Sequence, residues 1–426
     1  MIYDIGFFIF ALFSLPHFLG RLRQAEDPGR LVRERLGFFP TQVTARFEGR
    51  RTLWIHCVSV GEVLAVEKLI RLILAKKPDL YIVLTTVTPT GQRIAKQLEG
   101  ERVSVHYFPL DFRFAVGKFL DFVKPVCLLL TETEIWPNVI KEAKRRKIPI
   151  AMVNGRLSER SFQAFQRFSA IFKPLLTDME LFLVQTDRDQ ERLAALGVKS
   201  SKIAVTGNMK LDAFDVNGQP AAEPKALRER LGFPASDQVL IGGSTHAGEE
   251  EILLRAVRRL KDEGFPLRFL LAPRHVERSQ AVLKQAKKFR LNATLTSERH
   301  SAPPFEVLIL DELGQLRKLY AIGDIVVMGG SFVRHGGQNP VEPAAVSRAI
   351  IHGPWVFNFH DIYRRLDEDG GSLCVKGEEE LVFALRRLLA SERERQHIGT
   401  RAHEVLKRLR GASERNFDRI HYLLEE

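Results

Sequence analysis

Glu62, Glu132 and Glu134 each stand where an apolar run ends: "TLWIHCVSVGE" leads into Glu62, and "PVCLLLTETE" carries Glu132 and Glu134. A carboxylate at the carboxyl end of a strand is placed to take a proton from an attacking hydroxyl. Its ordinary role there is to complement the dipole of the following helix, and for a lone Glu that is the commoner explanation. The second half carries chemistry of another kind. "GGSTHAGEEE" (Gly242 to Glu251) offers backbone N–H groups, the hydroxyls of Ser244 and Thr245, and a helix start, a combination suited to a phosphate. "APRH" sets Arg274 and His275 at a strand end, where an arginine can grip a phosphate through two parallel hydrogen bonds or pair with a surface acid. "MGGSFVRHGGQNPVEPAA" (Met328 to Ala345) holds two glycine pairs, Gly329–Gly330 and Gly336–Gly337. The spacing predicts Asn339 as the cap of a helix whose first residue is Pro340, with Glu342 in the first turn. A carboxylate there can accept from both hydroxyls of a ribose. Two glycine pairs exceed what a turn needs, which argues for a nucleotide at this loop. Neither GxxxxGK[ST] nor GxGxxG occurs in these loops.

The elements that must position these residues follow from the apolar pattern. Before about Asp212, "TLWIHCVS", "LYIVLTTV", "PVCLLLTETE", "IPIAMVNG" and "LFLVQT" alternate with amphipathic stretches, one helix running from about Glu62 to Lys77. Continuous apolar strands alternating with helices mean parallel sheets covered on both faces. "AFDVNGQPAAEP" breaks the pattern and reads as a linker. The pattern restarts with "QVLIGGST", "LRFLLAPRH", "EVLILDE", "DIVVMGGS" and "AIIHGPW", and turns helical from about Glu378. Two doubly wound halves are expected, with ligands at the carboxyl ends of the strands in a cleft between them.

Composition narrows the class. The chain has 426 residues, 45% of them hydrophobic, enough for two cores, and a formal charge of +12. That charge calls for an anionic partner: nucleic acid, membrane or a phosphorylated substrate. No aromatic and basic interleaving favours nucleic acid, so none is expected as a partner. The three cysteines, Cys57, Cys127 and Cys374, form no CxxC pair and read as reduced, buried thiols in a cytosol-facing protein. The twelve histidines form no HExxH pair, and no metal is expected. Ile5 to Gly20 is apolar and uncharged, interrupted by Pro16, and followed by Arg21, Arg23, Arg30, Arg33 and Arg35. It is short for a full span, and the basic flank follows instead of preceding it, unlike a cleaved leader. A short membrane anchor with its basic flank at the cytoplasmic leaflet fits the pattern best, and an ordinary core helix is the alternative, since many buried helices are this apolar. Arg46, Arg50 and Arg51 extend the basic region, and Lys141, Lys144, Arg145, Arg146 and Lys147 form a second cluster.

Taken in order, "WIHCVSVGE", "TETEIWPN", "NGRLSERS", "GNMKLD", "GGSTHAGEEE", "APRH", "GGSFVRHGGQNPVEPAA" and "GPWVFNFHD" resemble the lipopolysaccharide Kdo (3-deoxy-D-manno-octulosonic acid) transferases, over nearly the whole chain. The resemblance implies a GT-B fold: an anchor at 1–23, a Rossmann-like acceptor domain at 24–213, a linker at 214–222, and a Rossmann-like CMP-Kdo domain at 223–426 whose last helix packs back on the first domain. It implies an inverting, metal-independent transfer of Kdo from CMP-Kdo to the glucosamine disaccharide of a lipid A precursor. The place would be the cytoplasmic face of the bacterial inner membrane, with no cofactor beyond the donor. Glu62 then resembles the general base and Glu132 a second essential acid. Ser244, Thr245, Arg274, Gly336, Gly337, Asn339 and Glu342 fall to the CMP site. Where many members read GGHN, this chain has Gln338, which hydrogen-bonds as histidine does but carries no proton charge. Two alternatives stand beside this expectation: a GT-B epimerase or transferase using a UDP-sugar, and a non-enzymatic, basic membrane-associated binding protein.

Overall fold

Every residue from Thr52 to Cys57 is buried, as a central parallel strand covered on both faces must be. It belongs to β1 (Arg51–Cys57), followed by β2 (Leu80–Thr86), β3 (Val103–Tyr107), β4 (Pro125–Thr131), β5 (Ile150–Gly155), β6 (Leu181–Val184) and β7 (Ile203–Val205). This computed structural model describes residue 20 and residues 26–39, 47, 49–213, 224–299 and 304–425. The expected anchor at 1–23, Gly20 aside, and the expected linker at 214–222 lie outside the described residues. The chain divides into two units, one running to Ala213 and resuming at Leu409, the other ending at Arg408.

The first unit is a seven-stranded parallel sheet in the order β3-β2-β1-β4-β5-β6-β7. Side chains alternate between its faces. Trp54 joins the cluster around Phe119, Leu128 and Ile140, and Leu53, Ile55 and Cys57 join the one around Val66, Leu69 and Ile420. The winding reverses between β1 and β4, so the carboxyl ends of those two strands flank the topological switch point, where doubly wound sheets bind ligands. The final helix, Ala412–Ile420, packs here against the helix Val60–Lys76. Asp212 holds it by accepting from the backbone of Gly411 at 2.7 Å and Ser413 at 2.6 Å.

The second unit has a parallel sheet of β8 (Gln238–Thr245), β9 (Leu267–Pro273), β10 (Ala293–Leu295), β11 (Val307–Ile309), β12 (Ile325–Met328), β13 (Ala349–His352) and β14 (Ser372–Cys374). Its order, β10-β11-β9-β8-β12-β13-β14, puts the reversal between β8 and β12. Each sheet thus has two strands more than the five apolar runs that the sequence marks in each half.

Two expectations change at this level. Cys57 and Cys127 are buried free thiols, but Cys374 is exposed. The second basic cluster is largely paired: Arg145 and Arg146 bind Glu142, Arg146 also binds Asp121, and Lys144 faces Asp178. In the first, Arg30 pairs with Glu34, Arg51 with Asp79, and buried Arg35 donates to the Val87 carbonyl. Among the described residues no helix is long and apolar enough to cross a membrane.

Candidate functional site

Glu62 occupies the first turn of the helix Val60–Lys76, which starts two residues before the sequence pattern suggested. Its Oε2 accepts from the Val58 backbone at 2.8 Å and its Oε1 from the Ser59 hydroxyl at 2.8 Å. The carboxylate therefore folds back over the carboxyl end of β1, half capping device and half site. Only 6% of the residue is exposed. Burial raises its proton affinity, the Glu132 charge adds to the rise, and the two hydrogen bonds and the Lys210 ammonium oppose it.

Across the switch point, Glu132 follows β4 with a left-handed backbone, φ 59°. For a residue with a side chain that conformation costs about 1–3 kcal/mol and needs support from its surroundings. Here the Glu132 N–H donates to the Val153 carbonyl at 3.0 Å, and Lys210 Nζ meets Oε1 at 2.6 Å. Lys210 is aimed by buried Asn154 at the end of β5, whose Oδ1 accepts from the Met209 backbone at 2.9 Å. Asn154 is itself left-handed, φ 53°. Glu134 completes the group. Burial, then the charge of Glu62, pushes its carboxyl up to about 8. At neutral pH the cluster thus holds a proton on Glu134, while a cation neutralises Glu132.

In the second unit, the loops after β8, β9 and β12 converge. Glu249, wholly buried at the start of the helix Glu249–Asp262, accepts from the backbones of His246, Gly330, Ser331 and Phe332 at 2.7–2.9 Å. Those amides face a carboxylate of the protein, so they are not the phosphate cradle that the glycine pattern suggested. Gly336 and Gly337 have φ 88° and 73°. A Cβ on Gly336 would lie 2.6 Å from Asn358 Nδ2, and one on Gly337 would lie 3.2 Å from Val356 Cα. The left-handed backbone at both positions, together with this packing, accounts for the two glycines without a ligand. Thr245 is fully buried, its hydroxyl donating to Glu250 at 3.2 Å. Ser244, left-handed at φ 54°, is only part-buried. Asn339 is not the cap the spacing predicts: the helix is Val341–Ala345 with Pro340 as its N-cap, and Asn339, one residue further out, accepts from the Val341 backbone at 3.1 Å through Oδ1 in a local turn. Glu342 is buried enough that its proton affinity rises, and Arg317 and Arg274 pull it back. Arg274 and Glu342 therefore share one electrostatic neighbourhood. Among the described residues no group of three or more His, Cys, Asp or Glu is placed to hold a metal ion.

A family described as 3-deoxy-D-manno-octulosonic-acid transferase (kdotransferase) matches residues 30–213. A 3-deoxy-D-manno-octulosonic acid transferase of Haemophilus influenzae is 36% identical over 395 residues, 92% of this chain and 91% of that protein. The chain belongs to the Kdo transferase family. A further member, from Bordetella pertussis, is 31% identical and covers 86% of each chain. A UDP-GlcNAc 2-epimerase from Neisseria meningitidis, solved with UDP-GlcNAc, shares the fold at 12% identity, with a TM-score of 0.60 over 87% of this chain and all of that one. The fold of this Kdo transferase is accordingly α/β and GT-B-like.

Of the residues marked in the sequence, Glu62, Glu132 and Glu134 interact across one switch point, and Ser244, Arg274, Asn339 and Glu342 lie in the converging loops of the other unit. Two residues that shape these clusters carried no expectation. Lys210 stands in "GNMKLD", just past a three-residue strand, where nothing in the local pattern marks a partner for an acid 78 positions earlier. Glu249 is one of three successive glutamates at a helix start, and only the tertiary structure separates it from half-exposed Glu251.

Proposed function

We propose that this member of the family transfers Kdo from CMP-Kdo to a hydroxyl of the glucosamine disaccharide of a lipid A precursor, with inversion. The observation that carries this is a buried carboxylate of raised proton affinity, Glu62, beside the Lys210-neutralised Glu132 at the switch point of the first unit. Glu62 takes the proton of the acceptor hydroxyl as its oxygen bonds to the anomeric carbon. The bond from that carbon to the phosphate breaks, and CMP leaves with the electron pair. The positive ammonium of Lys210 favours the negative charge that builds in such a step. In the second unit, Arg274 supplies charge for the leaving phosphate and Glu342 a partner for ribose hydroxyls. The enzyme uses no cofactor beyond its donor in this scheme.

Residues 1–23 are proposed as an anchor at the cytoplasmic face of the inner membrane, from the uncharged run Ile5 to Gly20 and the arginines behind it. An acylated acceptor gives such an anchor a purpose. Exposed aromatics on the first unit support a membrane-facing role: Phe114 stacks on Phe112, and Lys118 lies over the half-exposed ring of Phe38. The deciding experiment incubates the purified full chain with lipid A precursor and either CMP-Kdo or UDP-GlcNAc and weighs the lipid product. A mass gain of one or more Kdo units from CMP-Kdo alone is expected. No gain, or a gain from UDP-GlcNAc, overturns the assignment. Deleting residues 1–20 should release the protein from anionic vesicles in a flotation assay; retained binding refutes the anchor.

A further inference from the structure

His246, at the carboxyl end of β8, lies flat against His335 from the loop after β12, with ring centroids 4.2 Å apart and planes 13° apart. His275, beyond β9, meets His246 edge-on at 6.0 Å. The Gln338 amide nitrogen is 3.0 Å from His246 Nε2. With the amide nitrogen on that side, Nε2 accepts and the neutral ring carries its proton on Nδ1; turned over, the amide oxygen accepts from a protonated Nε2. The charged groups facing this ring are Arg274, Arg278, His275 and His335. The two nearby carboxylates are engaged: Glu249 takes the His246 backbone N–H at 2.9 Å, and Glu250 is paired with Arg278 at 2.7 Å.

We infer that the stacked His246–His335 pair is an anion clamp that takes up a proton when a nucleotide phosphate binds. This rests on the assignment of the converging loops to the nucleotide. Burial first, then the surrounding positive groups, hold His246 down to about 4. A nucleotide monophosphate brings about −1.5 to −2 charges, which reverses the field that keeps the ring neutral. A proton from solvent then adds at Nε2, and the Gln338 amide turns its oxygen to accept it, an exchange open to an amide because it offers both donor and acceptor. His335 stays stacked as a second N–H donor. This gives Gln338 a role of its own: it relays neither charge nor proton but fits both protonation states of His246.

The test is titration calorimetry of the full chain with CMP at pH 7.5, in two buffers of different ionisation enthalpy. At that pH the phosphate, whose second pKa is about 6, is already a dianion, so uptake belongs to the protein. The expected result is uptake of a measurable fraction of a proton per CMP bound. Affinity should weaken as pH rises, by at most about tenfold per pH unit, the limit for one linked proton. Cytidine, lacking the phosphate, should bind without uptake. His246→Gln should bind CMP without uptake, and Gln338→Leu should diminish it. CMP binding with no uptake in the wild type overturns the inference, as does equal uptake with cytidine or undiminished uptake in His246→Gln. Failure of the wild type to bind CMP is a different result: it removes the nucleotide assignment itself, and the clamp with it.

Discussion

Lys210 Nζ and Glu132 Oε1 meet at 2.6 Å although 78 positions separate them in sequence. The pair is held from both sides, by Asn154 beneath Met209 and by Asp212, which ties the same turn to the start of the final helix. The lysine is 42% exposed, so it is the left-handed glutamate and the two buried anchors, more than burial of the charges, that fix the geometry of the pair. Replacing Lys210 by Met should lower kcat about 10²–10³-fold, the usual loss when one preorganised charge is removed from a transition state. CMP affinity, proposed to reside in the other unit, should stay within a factor of two or so by the same reasoning. Steady-state kinetics with calorimetry decide it. A rise in KM alone would make the lysine a ground-state binder.

Glu62→Gln keeps one acceptor oxygen, for the Val58 N–H, and presents an NH2 that the Ser59 hydroxyl can accept from, but it cannot take a proton. Transfer should fall at least ~10²-fold, in the range attributed to a general base, while thermal stability and CMP binding change little. Retained turnover with weakened CMP binding would remove Glu62 from the chemistry.

Glu134 links the cluster to pH. The folded chain binds its proton up to about pH 8, whereas an unfolded glutamate releases it near 4.5. Within that window the folded state holds more protons than the unfolded one, so this group makes stability fall as pH rises from 4.5 to 8. Chemical denaturation at several pH values should show that slope, and Glu134→Gln, which mimics the neutral form, should flatten it. An unchanged slope places the proton elsewhere.

Much of this fold can be read from the chain because its central strands are buried on both faces. β1, β4, β8 and β12 are near-continuous apolar runs, and the switch-point residues Glu62, Glu132, Ser244 and Gly329 follow directly from where those runs stop. The four strands that escaped notice, β3, β7, β10 and β14, are the four sheet edges. Each pairs on one side only, and three of them are three residues long. β3 alternates Val, Ser, Val, His and Tyr, so polar residues interrupt its signal. In the site, what depends on local spacing was legible to within a residue, such as Glu342 in the first turn of its helix, although the cap is Pro340 and not Asn339. What depends on long-range approach was not: Lys210 on Glu132, or Glu249 consuming the amides of the glycine loop. The paired charges of "KEAKRRK" teach the same lesson, since Glu142 inside that run neutralises its neighbours.

Glu249 gathers four backbone amides from two loops, so Glu249→Gln should loosen both at once. Losing a charged acceptor for buried donors costs about 1–3 kcal/mol, to be read as a lower denaturation midpoint. The Kd for CMP should rise with it, because the loop after β12 would no longer be pinned. A destabilised variant with unaltered CMP affinity would show that the loop does not touch the nucleotide.

Glu342 offers the most direct check on the second unit. Its carboxylate lies in the field of Arg274 and Arg317, and burial makes the charge costly to keep without a hydrogen-bonding partner. Ribose hydroxyls would supply two such partners. Glu342→Ala should therefore raise the Kd for CMP about 10–100-fold, the loss expected when one or two charge-assisted hydrogen bonds disappear. The 2′,3′-dideoxy analogue of CMP should bind wild type and Glu342→Ala equally, since neither complex can then form those bonds. If the variant discriminates against the dideoxy analogue as strongly as the wild type does, the ribose is held by another residue, and Glu342 serves only to balance Arg274.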